Sequence, residues 1–193
     1  MLDPKAWINL EKVSVLIADS NSTSLQIMRQ VLAGFGVRRP LTCATADEGL
    51  ELASEHEINL VVANDVLGDT TGYEFIRALR RRSSDHNAFA PVIMISGHTK
   101  RANVAAARDC GANFVVAKPI SPQVMLERIV WVAKEGRPFV EAGAYLGPDR
   151  RFHEGEGDKP RRRRGDPQTA VYDPASPSPR VADEEIPDIK GAA

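Results

Sequence analysis

The sequence predicts an α/β protein, a doubly wound parallel sheet with helices on both faces, followed by a tail without a core of its own. Three observations predict it. Short apolar runs rich in Val and Ile alternate with stretches of helical periodicity throughout residues 13–135. Alternating units of this length call for parallel strands joined by right-handed crossovers. After Gly136 the composition changes, and Pro138, Pro148, Pro160, Pro167, Pro174, Pro177, Pro179 and Pro187 interrupt every window in which a helix could run.

Residues 1–12 read as an N-terminal extension. Val13-Ser14-Val15-Leu16-Ile17-Ala18 is a buried-strand pattern ending in the polar cluster Asp19-Ser20-Asn21-Ser22. That cluster offers N-cap chemistry to a helix in which Leu25, Met28, Leu32 and Phe35 recur on one face before Gly34 and Gly36 end it. A brief strand at Leu41 to Ala44 leads into Thr45-Ala46-Asp47-Glu48, which fits a capping box, and a helix to about His56. The third strand is Asn59 to Ala63, and its helix starts near Gly72 with Phe75, Ile76 and Leu79 inward. Pro91 introduces Val92 to Ile95, which ends on Ser96-Gly97-His98, and a helix from Lys100 to Cys110 is closed by Gly111. The fifth strand, Phe114 to Ala117, runs into Lys118-Pro119 and a last amphipathic helix from Ser121 to Glu135.

With 193 residues, 26% of them charged and 42% hydrophobic, the chain holds one full core plus an appendage: residues 13–135 as the domain and 136–193 as a mostly disordered tail. Phe139-Val140, Tyr145-Leu146, Phe152 and Val171-Tyr172 are short sticky patches within that tail. A formal net charge of −1 gives no global attraction to nucleic acid or anionic membrane. Cys43 and Cys110 lie in apolar contexts at no metal-ligand spacing and read as core thiols of a reduced protein. No run approaches the roughly 18 apolar residues of a membrane helix, so the expected location is cytoplasmic.

The third strand carries the most information. In an open α/β sheet, ligands and chemistry sit at the carboxyl ends of the strands. Here the run Leu60 to Gly72 passes from apolar residues to Asn64, Asp65, Asp69, Thr70 and Thr71. Successive strand residues point to opposite faces, so a site facing Asn64 leaves Asp65 turned away as a solvated residue unless the strand end bulges. Asp69 reads as a turn former and His98 as an exposed loop residue near the rim.

The combination of Ile17-Ala18-Asp19-Ser20, the loop reaching Gly72, Ser96, Cys110-Gly111-Ala112 and Lys118-Pro119 resembles the response-regulator receiver family. The resemblance implies a CheY-like, flavodoxin-like fold of five β/α units with strand order 2-1-3-4-5. It also implies phosphoryl transfer from a histidine kinase to an aspartate ending the third strand. That chemistry uses a Mg²⁺ held by this aspartate and an acidic pair ending the first strand, with a hydroxyl and a lysine contacting the phosphoryl group. Asp19, Ser96 and Lys118 match the first acid, the hydroxyl and the lysine. The second acid is Ser20, and counting back eight residues from Gly72 puts Asn64 at the acceptor position. The aromatic expected three residues before the lysine is Val115, with Phe114 displaced by one.

The consequence follows from the residues themselves. One carboxylate, Asp19, is left to hold a hard cation that favours carboxylate and phosphate oxygens, so Mg²⁺ affinity falls. An amide is no phosphoryl acceptor. Lys118, without an anionic cluster, pairs most simply with Asp19. The enzyme class is therefore not expected, and Asp65 is the substitute acceptor if any phosphorylation occurs.

Arginines mark the other candidate input. Arg77, Arg80, Arg81 and Arg82 end the third helix, where basic charge is favourable. In the tail, Arg137, Arg150, Arg151 and the run Arg161-Arg162-Arg163-Arg164 are a solvated charge run or a nucleotide site. Arginine reaches guanine O6 and N7 with a planar fork and neutralises phosphate. Arg163-Arg164-Gly165-Asp166 reads R-x-x-D, a pattern of cyclic di-GMP sites, and the arrangement resembles CheY-like cyclic di-GMP effectors with an arginine-rich extension that act on the flagellar motor. Three functions are thus open: a pseudo-receiver docking a signalling partner through the face of the fourth helix, fifth strand and fifth helix, a cyclic di-GMP adaptor, and a receiver phosphorylated on Asp65. A histidine kinase or a motor component is the kind of partner implied. The tail has no helix-turn-helix pattern, which disfavours specific DNA binding.

Overall fold

The computed structural model describes residues 10–68, 70–82, 86–97, 100–134, 137–150 and 169–172. Its centre is a five-stranded parallel sheet of β1 (Val15–Ala18), β2 (Leu41–Cys43), β3 (Leu60–Asn64), β6 (Val92–Ser96) and β7 (Phe114–Ala117), in the order β2-β1-β3-β6-β7. This is the 2-1-3-4-5 order expected of the major strands. The register sets Ala18 beside Ala63, Asn64 beside Ile95 and Ser96 beside Ala117, which brings the carboxyl ends of the strands together.

Helices α1 (Ser22–Gly34), α2 (Ala46–Glu55), α3 (Gly72–Arg80), α4 (Arg101–Asp109) and α5 (Pro122–Lys134) cover the two faces. The starts of α1, α2 and α3 are fixed by side chains that satisfy the free N–H groups of the first turn. Asn21 accepts from Ser24 N at 2.9 Å, and Thr45 accepts from Glu48 N at 3.3 Å. Thr71 and Glu74 exchange both bonds of a capping box at the start of α3.

Because the central strands β1, β3 and β6 are buried on both faces, alternate residues feed two separate cores. Leu16, Ala18, Val61, Ala63, Val92 and Met94 face Phe75, Ile76 and Leu79 of α3 and Ala107 of α4. Val15, Ile17, Leu60, Val62, Ile93 and Ile95 face Met28 and Leu32 of α1 and Met125 and Ile129 of α5. Each fully buried aliphatic side chain contributes about 1.5–3 kcal/mol of transfer free energy.

Between Asn64 and Gly72 the chain folds on itself as a two-stranded ribbon, β4 (Val66–Leu67) against β5 (Thr70–Thr71). Gly72 closes it. Its N–H donates to Asp65 O at 3.0 Å, and a Cβ there would lie 1.9 Å from the Asn64 carbonyl oxygen. Only glycine allows this approach of the loop end to the end of β3.

The tail departs from expectation. Residues from 136 onward are not all outside the folded unit: β8 (Phe139–Ala142) and β9 (Tyr145–Pro148) form an antiparallel hairpin, and β10 (Thr169–Tyr172) pairs with β8, giving the order β10-β8-β9. Three of the sticky patches are thereby strands. Phe139, Val140 and Leu146 are buried.

The anchor of the hairpin is Arg80, expected as favourable basic charge at a helix end and found 1% exposed. Its guanidinium donates to Ala88 O (2.5 Å), Ala90 O (2.8 Å) and Gly111 O (3.0 and 3.2 Å), and lies 4.9 Å from the centroid of the Phe139 ring. Burial lowers its pKa to about 10, still protonated at neutral pH. The backbones of Gly111 and Gly147 touch, since a Cβ on Gly147 would meet Gly111 Cα at 2.8 Å. Among the described residues no helix is long and apolar enough to cross a membrane.

Candidate functional site

The strand ends place two polar clusters on opposite faces of the sheet. Asp19 follows β1 and Asn64 ends β3, both in phase with the α1 and α5 core. Asn64 is 8% exposed and donates from Nδ2 to Asp19 Oδ1 (3.3 Å) and to Val66 O (3.1 Å). Asp19 also accepts from Asn21 N at 2.9 Å, and its second oxygen lies 3.6 Å from Lys118 Nζ. Ser20, at the position of the second acid, is exposed.

The second cluster is Asp65 with Ser96. Asp65 was expected as a solvated residue; it is 9% exposed and accepts a 2.6 Å hydrogen bond from Ser96 Oγ. Asp65 points away from Asn64, as strand alternation requires, but the opposite face is not solvent. It is the α3 and α4 side, where Ser96, two residues after Met94, points as well. Burial pushes up the pKa of the neighbouring Tyr73 hydroxyl, and the Asp65 charge adds to the effect. Ser96 therefore serves Asp65 and not the acceptor position.

These residues do not fit the magnesium ion that the receiver resemblance implies. A hard cation needs oxygen ligands, whereas Asn64 turns its amide nitrogen toward Asp19 and Lys118 already approaches the same carboxylate. The amide hydrogen occupies the electrostatic role of a cation beside Asp19. Among the described residues no group of three or more His, Cys, Asp or Glu is arranged to hold a metal ion.

Of the tail arginines, Arg150 is committed elsewhere. It pairs with Asp109 at 2.8 Å and stacks 3.7 Å from the Tyr145 ring centroid. Arg151, Arg161, Arg162, Arg163, Arg164 and Asp166 lie outside the described residues, as do Asp69 and His98.

The face expected to dock a partner has apolar and cationic character. Trp131 of α5 and Val104 of α4 are each 41% exposed. Phe114 meets Trp131 edge to face at 5.1 Å, Arg128 covers the Phe114 ring at 4.7 Å and Arg137 the Trp131 ring at 5.4 Å.

Comparison with known proteins agrees with this architecture. Residues 15–130 match the response regulator receiver domain. The chain is 28% identical over 120 residues to the chemotaxis protein CheY of Pseudomonas aeruginosa, covering 61% of this chain and 93% of that protein. It is 25% identical over 120 residues to the transcriptional regulatory protein YvrH of Bacillus subtilis, covering 62% of this chain and spanning 48% of that protein's length. Among solved structures, the chemotaxis protein CheY4 of Vibrio cholerae superposes with a TM-score of 0.58 at 24% identity, covering 62% of this chain and 98% of that one.

Proposed function

The chain belongs to the response regulator receiver family of two-component signalling, and we propose that it works as a pseudo-receiver, a module that signals by binding a partner protein without aspartyl phosphorylation. The observation that carries this reading is the Asn64 amide, bonded through Nδ2 to Asp19 and Val66 at the position of the phosphoacceptor. An amide nitrogen engaged in this way offers no nucleophile. Asp65 supports phosphorylation poorly, because the residue is 9% exposed and its carboxylate already accepts the Ser96 hydroxyl at Oδ2. Incubation with acetyl phosphate and Mg²⁺ followed by intact mass measurement tests the reading. The expected result is an unchanged mass, and a phosphate adduct mapped to Asp65 overturns it.

The docking surface in this reading is the face of α4, β7 and α5. Its exposed Trp131 is the kind of aromatic anchor that dominates interfaces, and the flanking arginines suit an acidic rim on the partner. Changing Trp131 to Ala is expected to abolish capture of the partner while leaving the fold intact, since the side chain is partly exposed.

One observation supports cyclic di-GMP capture as a second reading. The connection bearing Arg161–Arg164 runs between β9 and β10, two strands that both pair with β8. Calorimetry with cyclic di-GMP on the full chain, and on the full chain with Arg161–Arg164 changed to Ala, tests it. Binding to both or to neither removes the reading.

A further inference from the structure

Val104 and Trp131 leave the face of α4, β7 and α5 apolar and open to solvent. Cations ring it: Arg128 lies over Phe114, Arg137 lies over Trp131, and Lys134 is exposed at the end of α5. Among the described residues 122–138 the one acid is Glu127, and its carboxylate accepts from Gln123. An apolar patch rimmed in this way suits an occupant that carries both aliphatic side chains and carboxylates.

The chain itself contains such a stretch. Asp183-Glu184-Glu185-Ile186-Pro187-Asp188-Ile189 holds four carboxylates, two isoleucines and no basic residue. The register of β10 says where this stretch is delivered. β10 is antiparallel to β8, with Thr169 beside Glu141 and Tyr172 beside Phe139, so it runs toward the start of β8. Two residues before Phe139 is Arg137, the residue that covers Trp131. The polypeptide leaving Tyr172 is therefore directed toward the aromatic cluster. Asp183 comes eleven positions later, a reach of up to about 36 Å for extended chain. The arginines at 161–164 also offer positive charge, but that run has no apolar residue to receive the isoleucines.

We propose that segment 183–189 docks on the face of α4, β7 and α5, its isoleucines against Val104 and Trp131 and its carboxylates against Arg128, Lys134 and Arg137. The inference rests on the docking face named above and adds its regulation: the chain covers its own interface, and a partner must displace the segment. A short tether holds the segment at an effective concentration on the order of millimolar, so contacts too weak to bind a free peptide well can still close the face.

Both cysteines are buried, so a nitroxide attached to Lys190→Cys marks one position of the full chain. NMR of the labelled protein is expected to show the Trp131 indole and Val104 methyl signals broadened. Adding Asp183→Ala, Glu184→Ala and Glu185→Ala together should restore them. The unlabelled triple variant should bind a free peptide of residues 181–190 about tenfold more tightly than the native chain, since no tethered copy competes. Sharp Trp131 and Val104 signals, broadening that survives the triple substitution, broadening centred on the arginines at 161–164, or no gain in peptide affinity overturns the proposal. Any of these leaves capture of a partner through Trp131 standing. Broadening as expected, with partner capture unaffected by Trp131→Ala, keeps the segment on this face and removes the partner from it.

Discussion

Ser96 donates its hydroxyl to Asp65 across 2.6 Å, while Asn64, one residue earlier in the chain, turns to the other face of the sheet and donates to Asp19. The end of β3 thus splits its two polar side chains between two cores. Each side chain is buried and each depends on a partner from a different strand end.

Ser96→Ala removes the donor from a buried carboxylate. Hydrogen bonds to charged groups are worth about 1.5–3 kcal/mol, and urea unfolding of the variant should show a loss of that size. Asp65→Asn should cost less, since the amide keeps an acceptor for the Ser96 hydroxyl. A loss under about 0.5 kcal/mol for Ser96→Ala, the level of an ordinary surface substitution, would mean that Asp65 turns to water instead.

Asn64→Asp sets a carboxylate against two acceptors, Asp19 Oδ1 and Val66 O. Without a divalent cation this should destabilise the fold by about 1–3 kcal/mol, the penalty of replacing a bonded donor by a repelled acceptor. Added Mg²⁺ should then raise the melting temperature of the variant and leave that of the native chain unchanged. Melting curves with and without Mg²⁺ decide it, and an equal Mg²⁺ response in both proteins contradicts the assignment of Asn64 as the residue that displaces the metal.

Arg80 and Phe139 hold the C-terminal hairpin to the domain. Arg80→Met strands the carbonyls of Ala88, Ala90 and Gly111 and should cost at least about 3 kcal/mol, as several buried acceptors lose their donors at once. Arg80→Lys should not restore this, because an ammonium lacks the planar fork that reaches three carbonyls and stacks on a ring. Phe139→Ala, at a position 4% exposed, should cost about 3–5 kcal/mol. Denaturant midpoints close to the native value for these variants would refute the anchor.

Both thiols are protected. Burial pushes the Cys43 thiol from 9.0 up to about 12 and that of Cys110 from 9.0 to about 11. A thiol reagent at pH 8 should label neither until the chain unfolds, a rate measurable by absorbance. The linkage has a definite sign. An acid whose folded pKa is raised stabilises the fold fully below its unfolded pKa, so these thiols contribute a loss of stability that begins as pH rises through 9 and continues toward 11–12.

The sequence made the domain legible because its signals were local and repeated. Val15–Ala18 and Val92–Ser96 are strands by composition, Asn21 and Thr45 cap by chemistry, and the loop spacing of the receiver resemblance, counted from Gly72, marks Asn64. What could not be read was where side chains found partners across the fold. Alternation correctly sent Asp65 to the face opposite Asn64, but nothing local to residues 60–72 shows that Ser96, thirty-one residues later, meets it there. Arg80 looked like its neighbours Arg77 and Arg81, and only the tertiary position of three carbonyls distinguishes it. The hairpin was hidden by proline count. Yet Pro138 precedes β8 and Pro148 ends β9, places where proline breaks no ladder, and the Gly143-Ala144 pair between them, with Gly143 at φ 61°, is a two-residue turn signal that could have been used.

The Arg80–Phe139 stack also decides how a pull on the chain would be shared. Through Pro148 and Arg150 the polypeptide lies beside α3 and the end of α4, not at the end of α5. Tension applied from the C-terminal side would reach β10 first, then the hairpin that β10 pairs with and its arginine rivet, and α5 would be loaded only after that rivet gave way. Anything tethered there is mechanically coupled to the back of the α3 and α4 layer, the layer into which Asp65 and Ser96 point.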